Sequence, residues 1–181
     1  MQYVGNFIDR IPDGLIETVL REDGRVTPVY QPEKWKGTPE IEAALKEVES
    51  AGYNKLDYHF YQFTNSTECM QPYLEDLKWL SFDNILPKTY DHYHWWIVKY
   101  YPGDMQPMHV DPHVRGMNEC LRYTMMLTDF QDGHILTYGD FMLTDYKAGD
   151  LFLWKDFHCL HGAVNIGFDP RISLQVSFYN K

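Results

Sequence analysis

The sequence predicts a mainly β chain with supporting α: a jelly roll, with helices from the first half packed on one of its sheets. Three observations carry that expectation. The second half is a series of short aromatic and β-branched runs separated by turn residues, the spacing of a sandwich or barrel of the double-Greek-key kind. The first half holds stretches with helix-capping signals and helical apolar spacing. A length of 181 residues, 44% hydrophobic and 16% aromatic, suits one packed domain and argues against disorder.

Taken in order, the elements begin with Pro12-Asp13-Gly14, which introduces a short helix, LIETVLRE. Thr38-Pro39-Glu40 opens a longer one, IEAALKEVES, with a cap residue, a proline in the first turn and Gly52 as the stop. Its apolar positions Ile41, Ala44, Leu45 and Val48 share one face. A third helix is expected through Pro72–Leu80, and the aromatic stretch Tyr53–Phe63 is read as core packing. From about Tyr93 the pattern turns to strands. WWIVKYY stops at Pro102-Gly103-Asp104, LRYTMMLT at Asp132-Gly133, and HILTY at Gly139-Asp140. LFLW follows Ala148-Gly149-Asp150, and RISLQVSFY follows Asp169-Pro170. The expected layout is a single domain over 1–181, with 1–92 as a helical support region and 93–181 as the jelly-roll core.

Charge narrows the partners. The formal net charge is −10 and both halves are acidic, which argues against nucleic acid. No apolar run reaches the ~18 residues of a membrane span, and the N-terminal stretch lacks a charged-then-apolar signal. Cys69, Cys120 and Cys159 show no CxxC spacing and suit a reducing compartment. The expectation is a cytoplasmic protein whose partner is a small molecule or a peptide.

The chemistry concentrates in an ordered set: His109-Val110-Asp111, a 49-residue gap, His161, and ten positions later Arg171-Ile172-Ser173. Residues two apart on a strand project from the same face, so His109 and Asp111 suit one coordination sphere. Two imidazoles and a carboxylate can hold one face of an octahedral iron(II) ion and leave the other open. His92, His94, His113, His158 and His161 are the candidates for the third ligand. His161 is preferred because a turn-rich stretch lies between it and Arg171. Ten extended residues would span roughly 33 Å, but Gly167-Phe168-Asp169-Pro170 can reverse the chain and bring Arg171 back. In the closing strand Arg171, Ser173, Gln175 and Ser177 alternate with Ile172, Leu174, Val176 and Phe178. The polar face suits the lining of a site, and a buried arginine there needs an anionic partner. A ligand carboxylate would fill that role.

With these residues in hand, the stretch from Trp96 to Phe178 resembles the iron(II)/2-oxoglutarate-dependent dioxygenases, in particular their small prolyl-hydroxylase-like branch. The matching segments are KYYPGDMQPMHVD, LRYTMMLTD, AGDLFLW and HGAVNIGFDPRISLQVSFY. The resemblance implies a double-stranded β-helix, the cupin-like jelly roll. It implies iron held by His109, Asp111 and His161, and the distal carboxylate of 2-oxoglutarate held by Arg171 and Ser173. Tyr101, the tyrosine of the YPG segment, would contact the cosubstrate. With dioxygen, such a site hydroxylates an unactivated C–H bond and releases succinate and carbon dioxide, with no catalytic side chain beyond the metal ligands. His134 departs from the pattern, standing where the family often has a second glycine after Gly133. The rival expectation is a non-catalytic jelly roll that binds a metal or small ligand. Three ligands together with Arg171 argue against it, since binding alone does not need both sets.

Overall fold

Alternation along the strands gives the large sheet two buried faces, and each face has its own core. In the computed structural model, which describes residues 1–28, 46, 50, 59–81, 90, 92–110, 120–156 and 158–180, the order opens with β1 (Gln2–Asn6), α1 (Leu15–Arg21), β2 (Arg25–Pro28) and β3 (His59–Phe63). It continues with β4 (His92–Tyr100), β5 (Met105–His109), β6 (Cys120–Met126) and β7 (His134–Tyr138). The last four strands are β8 (Phe141–Leu143), β9 (Asp150–Trp154), β10 (His161–Asn165) and β11 (Arg171–Tyr179). A seven-stranded sheet runs β1-β9-β6-β11-β4-β3-β2, facing a four-stranded sheet β5-β10-β7-β8.

The pairing is nested. β4 pairs with β11, β5 with β10, β6 with β9 and β7 with β8, all antiparallel. A long hairpin wound on itself in this way is a double-stranded β-helix, the jelly roll expected from the sequence. Its inner strands β4 to β11 divide between the two sheets, and β1, β2 and β3 extend the larger sheet at both edges.

On the outer face of the large sheet, Trp95, Ile97, Tyr123, Met125, Ile172, Leu174, Val176 and Phe178 pack against Leu15 and Val19 of α1 and against Met70 and Leu77. Between the sheets lies the second core: Phe60, Trp96, Val98, Tyr100, Met126, Leu136, Tyr146, Phe152 and Ala163. The same strands feed both, because successive side chains point to opposite faces.

The first half contributes more than helices. α1 forms where expected, entered through Gly14 at φ 77°, and buries Leu15, Thr18 and Val19. Lys99, on the outer face of β4 and fully buried, donates to the carbonyls of Leu20 (3.4 Å) and Glu22 at its end. A cation there complements the helix dipole, although burial pulls its pKa below the ordinary lysine value. The Pro72–Leu80 stretch is not an α-helix but two 3-10 helices, Glu68–Tyr73 and Asp76–Ser81. Pro72 lies inside the first of them and lacks the N–H that an α-helical interior requires. The Tyr53–Phe63 stretch ends in β3, an extended strand whose Phe60 and Phe63 are both buried. The support region of residues 1–92 is therefore partly sheet. The expected 38–52 helix lies outside the described residues, apart from Lys46 and Ser50, which are helical. Among the described residues no helix is long and apolar enough to cross a membrane.

Ile97 is fully buried at the centre of the outer core, opposite Leu174. Ile97→Ala should cost about 2–5 kcal/mol, the range for an emptied core site. Urea unfolding should show a lowered midpoint with an unchanged slope; a loss below about 1 kcal/mol would contradict this packing.

Candidate active site

β5 and β10 run antiparallel with His109 directly opposite His161, and the two rings stand 4.3 Å apart between centroids at 53°. The register slips between His161 and Ala163, so that three steps on β5 match two on β10. The extra residue lies around Pro107 and Met108. A bulge tolerates a proline and re-aims the side chains beside it. Gly162 belongs to the same close approach: a Cβ there would stand 3.0 Å from the Gln106 carbonyl oxygen and the Met108 nitrogen.

Each imidazole is held through its Nδ1. His109 Nδ1 lies 2.8 Å from the Pro107 carbonyl oxygen, and His161 Nδ1 lies 3.0 Å from that of Cys159. A carbonyl can only accept, so both Nδ1 atoms carry the proton and both Nε2 atoms carry the lone pair. That tautomer is the one a metal-binding histidine needs, with the ring oriented by its second nitrogen. The Tyr100 hydroxyl donates to Gln106 Oε1 at 2.9 Å, which turns the Gln106 amide nitrogen toward His109 Nε2 at 3.0 Å. His161 packs edge-on against Trp154 at 4.7 Å. Asp111, the third expected ligand, lies outside the described residues, as does His113. Among the described residues no group of three His, Cys, Asp or Glu comes together for a metal. His158 is exposed on the loop before β10, and His94 is stacked on Trp96 on β4.

Arg171 opens β11, opposite Tyr100 on β4, and is 1% exposed. Its guanidinium carbon lies 5.4 Å from the Tyr100 ring centroid. Arg171 Nε and Nη2, Ser173 Oγ, the Tyr146 hydroxyl and His134 Nδ1 are all buried and meet no hydrogen-bond partner among the described residues. Tyr146 and His134 both lie within reach of the Arg171 charge. Burial raises the Tyr146 pKa, and Arg171 opposes that rise; burial lowers the His134 pKa, and Arg171 adds to the fall against the Asp169 carbonyl bond. The Tyr146 hydroxyl lies close to Arg171. Each orphaned polar atom costs about 1–3 kcal/mol. A carboxylate placed among them would accept from the guanidinium and both hydroxyls, so the donor set fits an anion.

Tyr101 is elsewhere. As the neighbour of Tyr100 it turns to the outer side, where its hydroxyl donates to Asp23 Oδ1 (3.0 Å) and accepts from Lys99 Nζ (2.8 Å). The tyrosine brought to Arg171 is Tyr100. Reasoning from sequence missed Tyr100, Gln106 and Tyr146. Period two within WWIVKY would have placed Tyr100 on the inner face with Trp96, but Tyr146, in a loop, carries no such signal.

Further along the inner face a cavity of about 390 Å³ opens, lined by His109, His161, Trp96, Gln175, Arg122 and Ser177 among others. The histidine pair borders it, whereas Arg171 and Ser173 are not among its lining. The site thus has three parts: an anion pocket, a histidine pair and a cavity.

No protein-family model and no curated protein matches this sequence. Solved structures similar to the chain include a Pseudomonas putida prolyl-4-hydroxylase, 14% identical over 93% of this chain and 98% of that one, with a TM-score of 0.47. An uncharacterized conserved protein with a double-stranded β-helix domain from Klebsiella pneumoniae is 22% identical, covering 54% and 74%, with a TM-score of 0.38. The cupin domain of Schizosaccharomyces pombe Cnp3 is 14% identical, covering 52% and 61%, also at 0.38.

Burial, and then the Asp23 bond, raise the Tyr101 hydroxyl from 10.0 to about 12. A group whose pKa rises on folding contributes stability that is complete below the unfolded value and fades as pH climbs through the folded one. Tyr101→Phe should therefore flatten the fall in stability between pH 10 and pH 12 relative to wild type, followed by denaturant unfolding at each pH. Parallel curves for the two proteins would contradict the Tyr101–Asp23 placement.

Proposed function

We propose that the chain is a non-haem iron(II)- and 2-oxoglutarate-dependent oxygenase that hydroxylates an unactivated C–H bond and releases succinate and carbon dioxide. The observation that carries this reading is the cluster of buried, orphaned donors around Arg171 on the inner face of the large sheet, with two histidines in the ligating tautomer on the smaller sheet that faces it. An anion pocket alone would serve many proteins, and so would a histidine pair. Their combination suits a metal and a carboxylate cosubstrate held together.

In this reading His109, Asp111 and His161 hold the iron. Arg171 and Ser173 hold the distal carboxylate of 2-oxoglutarate, with Tyr146 as a further donor. Tyr100, rather than Tyr101, forms the wall under the guanidinium. The bound iron supplies the dioxygen chemistry, and oxidation of the cosubstrate supplies two electrons. The chain supplies orientation. The Pro107 and Cys159 carbonyls hold both Nδ1 protons and so leave the lone pairs on Nε2; the Gln106 amide, which donates to His109 Nε2, would give up that bond when iron binds. Trp154 sets apolar surface against His161, which strengthens charge interactions there.

Anaerobic addition of iron(II) and then 2-oxoglutarate tests the proposal. A weak visible charge-transfer band is expected, together with a rise in thermal stability that saturates with 2-oxoglutarate. A metal-binding jelly roll without this activity would give neither response to 2-oxoglutarate. Asp111→Ala should abolish turnover and weaken the metal sharply. Arg171→Lys keeps the charge but loses the planar fork, so 2-oxoglutarate affinity should fall roughly ten- to hundredfold, about 1.5–3 kcal/mol, with iron binding kept. Unchanged affinity in that variant would remove Arg171 from the site.

A further inference from the structure

The cavity beside the histidine pair carries a second guanidinium. Arg122 on β6 is 1% exposed and faces Ser177 across the β6–β11 pairing, while Ser177 faces His94 across the β11–β4 pairing. Trp96 and Trp154 clamp the Arg122 guanidinium, with ring centroids 5.0 and 4.7 Å from its central carbon. Such contacts occupy the faces of a guanidinium and direct its N–H groups outward in its own plane. Ser177 Oγ is buried and meets no hydrogen-bond partner among the described residues. Arg122, Ser177 and His94 all line the cavity. Its volume of about 390 Å³ is in the range of small-ligand pockets.

The pairing of a buried guanidinium with an orphaned serine hydroxyl thus occurs twice on the inner face of β11. Arg171 with Ser173 stands at its start, and Arg122 with Ser177 further on. Six steps along the strand lead from Arg171 to Ser177, roughly 20 Å, so two carboxylates could each find a cation without crowding. We infer that Arg122 and Ser177 bind a carboxylate of the substrate, which is a small organic acid whose body lies along Trp96 and Phe60 toward His109 and His161. Assigning this end to the substrate rests on the oxygenase reading, because that reading gives Arg171 to the cosubstrate. A peptide backbone would instead offer Arg122 a neutral carbonyl.

Phenylacetate and phenylacetamide are matched probes that differ in this one charge. Each is titrated into the full chain and followed by tryptophan fluorescence, since Trp96 and Trp154 flank Arg122. Phenylacetate should bind at least tenfold more tightly than the amide. Arg122→Gln should erase that preference, and Ser177→Ala, a smaller change at a buried position, should reduce it several-fold. Both variants should keep wild-type affinity for 2-oxoglutarate. Equal binding of acid and amide by wild type would overturn the inference and favour a neutral, peptide-like substrate. Survival of the preference in Ser177→Ala and Arg122→Gln would overturn it as well, as would its loss in Arg171→Ala, which would mean the probe reads the cosubstrate end. If phenylacetate behaves as expected while 2-oxoglutarate fails to bind wild type, the carboxylate site stands and the oxygenase reading falls.

Discussion

A row of buried polar side chains along the inner face of β11 is the constraint on which the rest of the site depends. Arg171, Ser173 and Ser177 are each almost fully buried, on a strand held between β6 and β4 in the middle of the large sheet. Polar groups in that position cost stability unless they are satisfied. The other face of the same strand holds them there. Ile172, Leu174, Val176 and Phe178 are locked into the outer core, and a slip of one residue would exchange the two sets. Apolar burial on one face thus keeps a row of donors in place on the other.

Tyr100 joins the parts of the site. Its ring lies under the Arg171 guanidinium, and its hydroxyl sets the Gln106 amide that meets His109. The residue that shapes the anion pocket therefore also steadies a histidine, and neither end can shift far without the other. The adjacent Tyr101 does different work. With Lys99 and Asp23 it fastens the end of α1 to the back of the sheet, so one dipeptide serves the site and the scaffold on opposite faces.

Much of this was legible in the sequence, and the reasons differ by element. β7 and β11 stand where HILTY and RISLQVSFY predicted, because apolar alternation bounded by turn residues is a strong local signal. β5 and β10 were harder to see: Pro107 breaks one pattern, and His161-Gly162-Ala163 offers little β-branched bulk. Both carry the histidines, and a site that departs from local propensity is a common place for such reading to fail. The pairing of His109 with His161 and the burial of Arg171 were foreseeable from spacing and one turn. Tyr101 came from the resemblance in the YPG segment, whereas the phase of β4 puts Tyr100 on the inner face and Tyr101 on the outer one, since period two puts neighbours on opposite faces. Tyr146 reaches Arg171 through tertiary placement alone, and no spacing rule exposes that.

The measurement that bears most directly on the central claim is a crystal structure of the chain grown anaerobically with iron(II) and 2-oxoglutarate. Iron is expected on His109, Asp111 and His161, with the distal carboxylate of the cosubstrate bonded by Arg171 and Ser173 beside Tyr146. A cosubstrate carboxylate seated on Arg122 and Ser177, or a metal bound away from the two histidines, would contradict it.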